Sequence, residues 1–326
     1  MIPQPTASEA PHTILDPRTT LDHVHLTVRD LETEVAFYRD ILGLQVHRRD
    51  DGFASLGAGR PAPSAGSGQA SAAHSGQALS VAKGRDLLRL SERRDAPRVP
   101  RASGLYHFCF LVQQRVELAQ LLRRIAETRT PVQGLVDHHF SEAIYLADPE
   151  GNGVELNWDR PRDQWPAVDT VIRRGNRPLD VAGLEGLLED APHPWPGLLP
   201  DATIGHIHLH LGDLAAAERF YIGILGFEKQ MEFPGQAVFV SAGGYHHHVA
   251  FNLWAGRGIG PAPPDAAGLR HFAIRLVDQA ELERVLRRVR AAGLTTEDTA
   301  TEDTAEGGLV RDPAGIGVLL LAGPAA

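Results

Sequence analysis

Histidine is the residue type to start from, because the chain carries 16 His against 5 Tyr and 2 Met. Four of them, His23, His107, His206 and His271, each stand two positions after a Leu or Ile and open an alternating apolar run. Downstream of His107, the stretch from Val136 to Glu155 holds His138, His139 and Tyr145. It then holds the turn Asp148-Pro149-Glu150-Gly151-Asn152-Gly153, and Glu155 between Val154 and Leu156. A carboxylate inside an apolar strand is costly unless something cationic neutralises it. His23 and His107 begin equivalent strands, and with Glu155 they make a set of two imidazoles and one carboxylate. Such a set holds non-haem Fe(2+) and leaves positions open for a substrate and O2 side by side, and Mn(2+) accepts the same donors.

A rival donor set is present. His206, His208 and His210 alternate onto one strand face, and Tyr245-His246-His247-His248 precedes another strand. His206 with His246 or His248, plus His271, is an all-histidine alternative. An internal alignment weighs against placing the iron site in the second half. Matched on Asp-Pro-x-Gly-x-Gly-Val, Glu155 corresponds to Leu319, and no His or Tyr occupies the positions of His138 and Tyr145. The expected metal ligands are therefore His23, His107 and Glu155 in the first half.

These groups must be positioned by repeated elements. The segment LDHVHLTVRDLETEVAFYRDILGL at Leu21 returns as IGHIHLHLGDLAAAERFYIGILGF near Ile204, and segments opening at Leu105 and Leu269 begin the same way. In each, an alternating run such as Val24, Leu26, Val28 predicts a half-buried strand. In the first and third, an Asp suited to capping follows, Asp30 and Asp213. A helix of three-to-four period comes next. Gly43 and Gly226 stop the first and third helices. About three short strands complete each unit. The reading is an α+β chain of four βαβββ modules paired into two domains, each curling around a concavity. The expected divisions are a tail at 1–20, an N-terminal paired domain at 21–160, a linker with a short helix at 161–203, and a C-terminal paired domain at 204–326. Residues 58–78, rich in Gly, Ala and Ser, read as a flexible insertion, and 295–305 as an exposed loop tip.

Four such modules in two pairs resemble the vicinal oxygen chelate superfamily. The spacing from His138 through Tyr145 and the Asp-Pro turn to Glu155 is similar to the signature of extradiol ring-cleavage dioxygenases of the catechol 2,3-dioxygenase-like group. The resemblance implies an Fe(2+)-dependent enzyme that opens a catechol-like diol with O2 to a muconic semialdehyde. It implies that His138 steers protons, with adjacent His139 as its substitute, and that Tyr145 donates a hydrogen bond to a substrate oxygen. The family's further His just before the second-unit ligand has no counterpart between Leu90 and Tyr106, so the deprotonating base is unassigned. The best-known two-domain relatives also keep their metal in the C-terminal half. Glyoxalase-type isomerases carry a fourth ligand, a Glu, about where Arg89 stands here, and Arg cannot ligate a cation. A glyoxalase-like lyase or isomerase and a non-catalytic small-molecule-sequestering protein are the alternatives.

Composition bounds the rest. At 326 residues the chain has room for about two domains. A net charge of −9 argues against a nucleic-acid partner. No run approaches the roughly 18–20 apolar residues that cross a bilayer, and the first residues lack the features of a signal peptide. A single cysteine, Cys109, excludes an internal disulfide and fits a reducing, cytoplasmic setting. Exposed sheet edges allow a homo-oligomer.

Overall fold

The computed structural model describes residues 14–59, 84–297 and 307–323. Most of the expected tail and insertion, and most of the expected loop tip, lie outside the described residues.

The four modules are all present. The first runs β1 (Thr20–Val28), α1 (Leu31–Ala36) continued by a π-helical turn (Phe37–Ile41), β2 (Gln45–Asp50), β3 (Phe53–Gly57) and β4 (Asp86–Glu92). The second is β5 (Gly104–Val112), α2 (Arg115–Thr128), β6 (Gly134–Asp137), β7 (Ser141–Ala147) and β8 (Gly153–Asp159). A connecting segment holds α3 (Val168–Arg174), β9 (Arg177–Pro178) and α4 (Val181–Gly186). The third is β10 (Thr203–His210), α5 (Leu214–Glu218) with its own π-helical turn (Arg219–Leu225), β11 (Glu228–Phe233), β12 (Ala237–Ser241) and β13 (Val249–Asn252). The fourth is β14 (Gly268–Arg275), α6 (Gln279–Ala291), β15 (Thr296–Glu297), β16 (Gly307–Arg311) and β17 (Gly317–Leu321).

Local chemistry accounts for the repetition. Asp30, Asp213 and Asp278 each accept a hydrogen bond from a backbone N–H three residues on and so cap α1, α5 and α6. The second module uses Gln114 and Glu117 in a reciprocal capping box instead.

The strands form two sheets, in the orders β15-β16-β17-β14-β1-β4-β3-β2 and β11-β12-β13-β10-β5-β8-β7-β6-β9. The first module therefore shares a sheet with the fourth, and the second with the third. This differs from the expected pairing of sequence neighbours within 21–160 and within 204–326. Each module offers the same edge, its first strand, so four nearly equivalent edges carry little information about which two should meet. The pairs that form have matching registers: His25 stands opposite His271, and His208 opposite His107. Sequence neighbours are joined instead through helices and turns. Tyr38 donates to Asp148 and Tyr221 to Asp312, each at 2.9 Å, and the Arg124 and Arg288 side chains donate to the backbone carbonyls of Asp40 and Ile224. Buried side chains from both sheets merge into one continuous core.

Candidate metal centre

The pairing of β5 with β10 creates the site. β8 lies parallel to β5 with Glu155 beside Cys109, and β7 lies antiparallel to β8 with Tyr145 beside Glu155. Alternation along the strands then puts His107, Glu155, Tyr145, His206 and His208 on one concave face. Glu155 Oε2 is 3.1 Å from His107 Nε2 and 2.8 Å from His206 Nε2. One donor atom from each of the three lies within 4.8 Å of the others. All three residues are buried. Two imidazole nitrogens and a carboxylate oxygen converging from three strands fit a divalent cation held on one face, with the cavity on the other side.

The structure brings together His107 and Glu155 of the expected set but not His23. That residue lies in the other sheet, at the position equivalent to His206. There it faces His271, with ring centroids 5.7 Å apart against 5.5 Å for His107 and His206. Leu319 sits beside Ala273 where Glu155 sits beside Cys109. The second concavity thus repeats the imidazole pair without the acid. Its His23 Nδ1 is bonded to Asp22, which also takes Arg275.

Charge supports the cluster. Burial pushes the Glu155 carboxyl up, but the charge and hydrogen bonds of His206 and His107 hold it well below the usual carboxylate range. Burial lowers His206, opposed by Glu155. The site therefore combines an ionised carboxylate with at least one imidazole inclined to stay neutral, as metal ligation requires.

His138 and Tyr145 meet: the Tyr145 hydroxyl is 2.7 Å from His138 Nε2. Asn176, from the connecting segment, places its Oδ1 2.9 Å from His138 Nδ1. An amide oxygen only accepts, so Nδ1 carries the proton and Nε2 accepts from Tyr145. Burial, with the charge of Glu155, raises the Tyr145 hydroxyl well above its ordinary range, so it keeps its proton. His139 turns elsewhere, with Nε2 2.8 Å from the Gly175 carbonyl and φ at +71°.

A second chain of imidazoles reaches the site from β13's approach. Asp159 Oδ1 is 3.3 Å from His246 Nε2, and His246 Nδ1 is 2.9 Å from His247 Nδ1. The carboxylate accepts a hydrogen bond from His246 Nε2–H, which leaves His246 Nδ1 as an acceptor. His247 therefore donates through Nδ1, and its buried Nε2 is a lone pair without a partner among the described residues. Burial, then the charge of His206, keeps His247 well below the ordinary imidazole range. Of the rival cluster, His206 and His246 do gather, joined by His247. His248 instead accepts from the Ala242 backbone, and His271 lies in the other sheet. In the sequence, His247 is hidden in a run of three histidines. It lies just before β13, outside the paired residues, and only the fold shows its ring centroid 4.1 Å from that of His206.

These groups line a cavity of about 400 Å³. Its walls include Phe140, Met231, Phe239 and Trp254, with Val171 and Ile172 contributed by α3.

Comparison with known proteins bears on the family and the fold. The family profile described as Glyoxalase/Bleomycin resistance protein/Dioxygenase superfamily matches residues 20–156 and 203–320. The chain is 40% identical over 287 residues to a catechol-2,3-dioxygenase of Bacillus subtilis (strain 168), covering 86% of this chain and 91% of that protein. A crystal structure from Bacillus subtilis subsp. subtilis str. 168 shares the fold with a TM-score of 0.61 at 15% identity, over 94% of this chain and 85% of that one. Glyoxalase I from Zea mays does so with a TM-score of 0.54 at 16% identity, over 93% and 92%.

Proposed function

Because the chain belongs to the Glyoxalase/Bleomycin resistance protein/Dioxygenase superfamily, we propose that it is an extradiol dioxygenase that opens a catechol-type ring with O2 to a muconic semialdehyde. The observation that carries this reading is the convergence of His107, His206 and Glu155 at the base of an aromatic-walled cavity. We assign these three as the ligands of Fe(2+), for which Mn(2+) is the substitute. The ion, when bound, supplies acidity to a chelated diol and a route for electrons from the ring to O2.

The chain's own residues do the rest. His247 Nε2, neutral and unpartnered among the described residues, takes a proton from the arriving diol. The Asp159–His246 chain behind it stabilises the charge it acquires. His138, held by Asn176, and Tyr145 form a hydrogen-bonded unit that exchanges protons with substrate oxygens on the other wall. Three protein donors leave room for both reactants, whereas a glyoxalase-type isomerase calls for a fourth.

The working partner is then a small diol rather than a nucleic acid, which fits the net charge of −9. Among the described residues no helix is long and apolar enough to cross a membrane. The lone, buried Cys109 suits a reducing compartment such as the cytoplasm.

The test is oxygen uptake by protein reconstituted with Fe(2+) and given catechol. The expected result is one O2 consumed per diol with a yellow, near-ultraviolet-absorbing product, abolished in Glu155→Gln. No uptake from protein that holds stoichiometric iron would reject the assignment.

A further inference from the structure

The cavity is built in two zones. Its base is polar and carries His107, Glu155, His206, His247 and the His138–Tyr145 unit. Its rim is formed by Trp254, Phe233, Tyr106 and Ile172, each between 36% and 51% exposed. Aromatic rings join the zones on two sides. On one, His247, Phe239 and Phe233 follow at centroid spacings of 5.1 and 5.9 Å. On the other, His107, Tyr106 and Trp254 follow at 4.9 and 5.3 Å. Val171 and Ile172 of α3 line a third side.

Among the described residues lining this cavity there is no Lys and no Arg, and the acid present is Glu155. A volume of about 400 Å³ lies within the roughly 300–1,000 Å³ of pockets that enclose drug-sized ligands. A bare dihydroxybenzene occupies a fraction of it and leaves the aromatic zone wet.

We propose that the outer zone is a subsite for an uncharged apolar ring substituent, an alkyl or aryl group, and that it disfavours diols bearing a carboxylate. The inference rests on the dioxygenase reading only for the diol end. An apolar substituent lying on Phe233, Phe239, Trp254 and Ile172 removes apolar surface from water on both partners. A carboxylate there loses hydration and meets no cation among the described lining residues.

The experiment compares 4-propylcatechol with 3,4-dihydroxyphenylacetate, which have side chains of similar length. Binding to the iron-loaded protein is measured calorimetrically without oxygen, so that neither ligand turns over. The propyl compound is expected to bind at least about tenfold more tightly. Equal affinity, or tighter binding of the carboxylate, overturns the proposal. Ile172→Arg and Trp254→Arg place a cation at exposed rim positions and are expected to narrow the preference by about tenfold or reverse it. A preference unchanged in both folded variants counts against the subsite. Admitting oxygen afterwards separates the two claims. Selective binding without O2 uptake leaves the subsite standing and removes the dioxygenase. Uptake with both diols at equal kcat/KM and equal affinity does the opposite.

Discussion

The Tyr145 hydroxyl is 2.7 Å from His138 Nε2, and His138 is not among the residues whose ligand atoms converge with Glu155. Removing the imidazole should therefore leave metal binding intact. For His138→Ala we expect unchanged iron content and a kcat lowered by about 10²–10⁴, the usual span for a general acid–base group. Loss of iron from that variant would mean the residue supports the ligands rather than the chemistry. At this scale much of the candidate site was legible in the sequence. Glu155 is an acid in an apolar strand, His107 stands at a repeat position, and His138 and Tyr145 precede a turn at a recognisable spacing. Each breaks its local pattern in a way that the hydrophobic effect alone does not explain. Asn176 gave no such signal. It is an ordinary polar residue of a connecting segment, and its value is purely spatial.

The elements hold these groups with little slack. The turn before β8 uses Gly151 at φ +93°, a conformation that favours glycine. Gly153 is needed for a different reason, because a methyl group there would collide with the Tyr106 carbonyl on β5. Gly153→Ala should push β8 away from β5 and spoil the Glu155–His107 approach. We expect weaker iron retention than wild type on dialysis against a chelator, with the folded far-ultraviolet spectrum kept. Iron retained as in wild type would show that the strands yield without cost.

The same turn is clamped to α1. The Glu150 N–H donates to Glu34 at 2.9 Å, and Tyr38 donates to Asp148. Burial, then the charge of Asp148, pushes Glu34 up to about 9, so it is protonated at neutral pH. Its stabilising effect is complete below the ordinary value of 4.5 and is lost as pH rises towards about 9, by at most about 1.4 kcal/mol per pH unit. In the third module Ala217 stands at the corresponding place. Glu34→Gln should therefore flatten the decline of the thermal midpoint between pH 4.5 and about 9. A decline as steep as that of wild type would place its origin elsewhere.

At the scale of the whole molecule, the count of modules, their strand–helix order and the two-sheet outcome were all readable from periodicity. Which modules share a sheet was not. β1, β5, β10 and β14 are similar edges with similar apolar alternation. The choice among them depends on how the connections and the helix contacts between neighbours pack. That one undetermined choice moves a ligand by more than 180 positions in the chain, from His23 to His206. It also explains why the acid-free imidazole pair, His23 with His271, persists in the other concavity beside Leu319.

The direct test is iron stoichiometry, by inductively coupled plasma analysis, in His206→Ala and His23→Ala prepared in parallel. The cross-paired arrangement predicts that His206→Ala loses its iron and its oxygen uptake while His23→Ala keeps both. Iron lost from His23→Ala and retained in His206→Ala would contradict it and return the site to a pairing of neighbours.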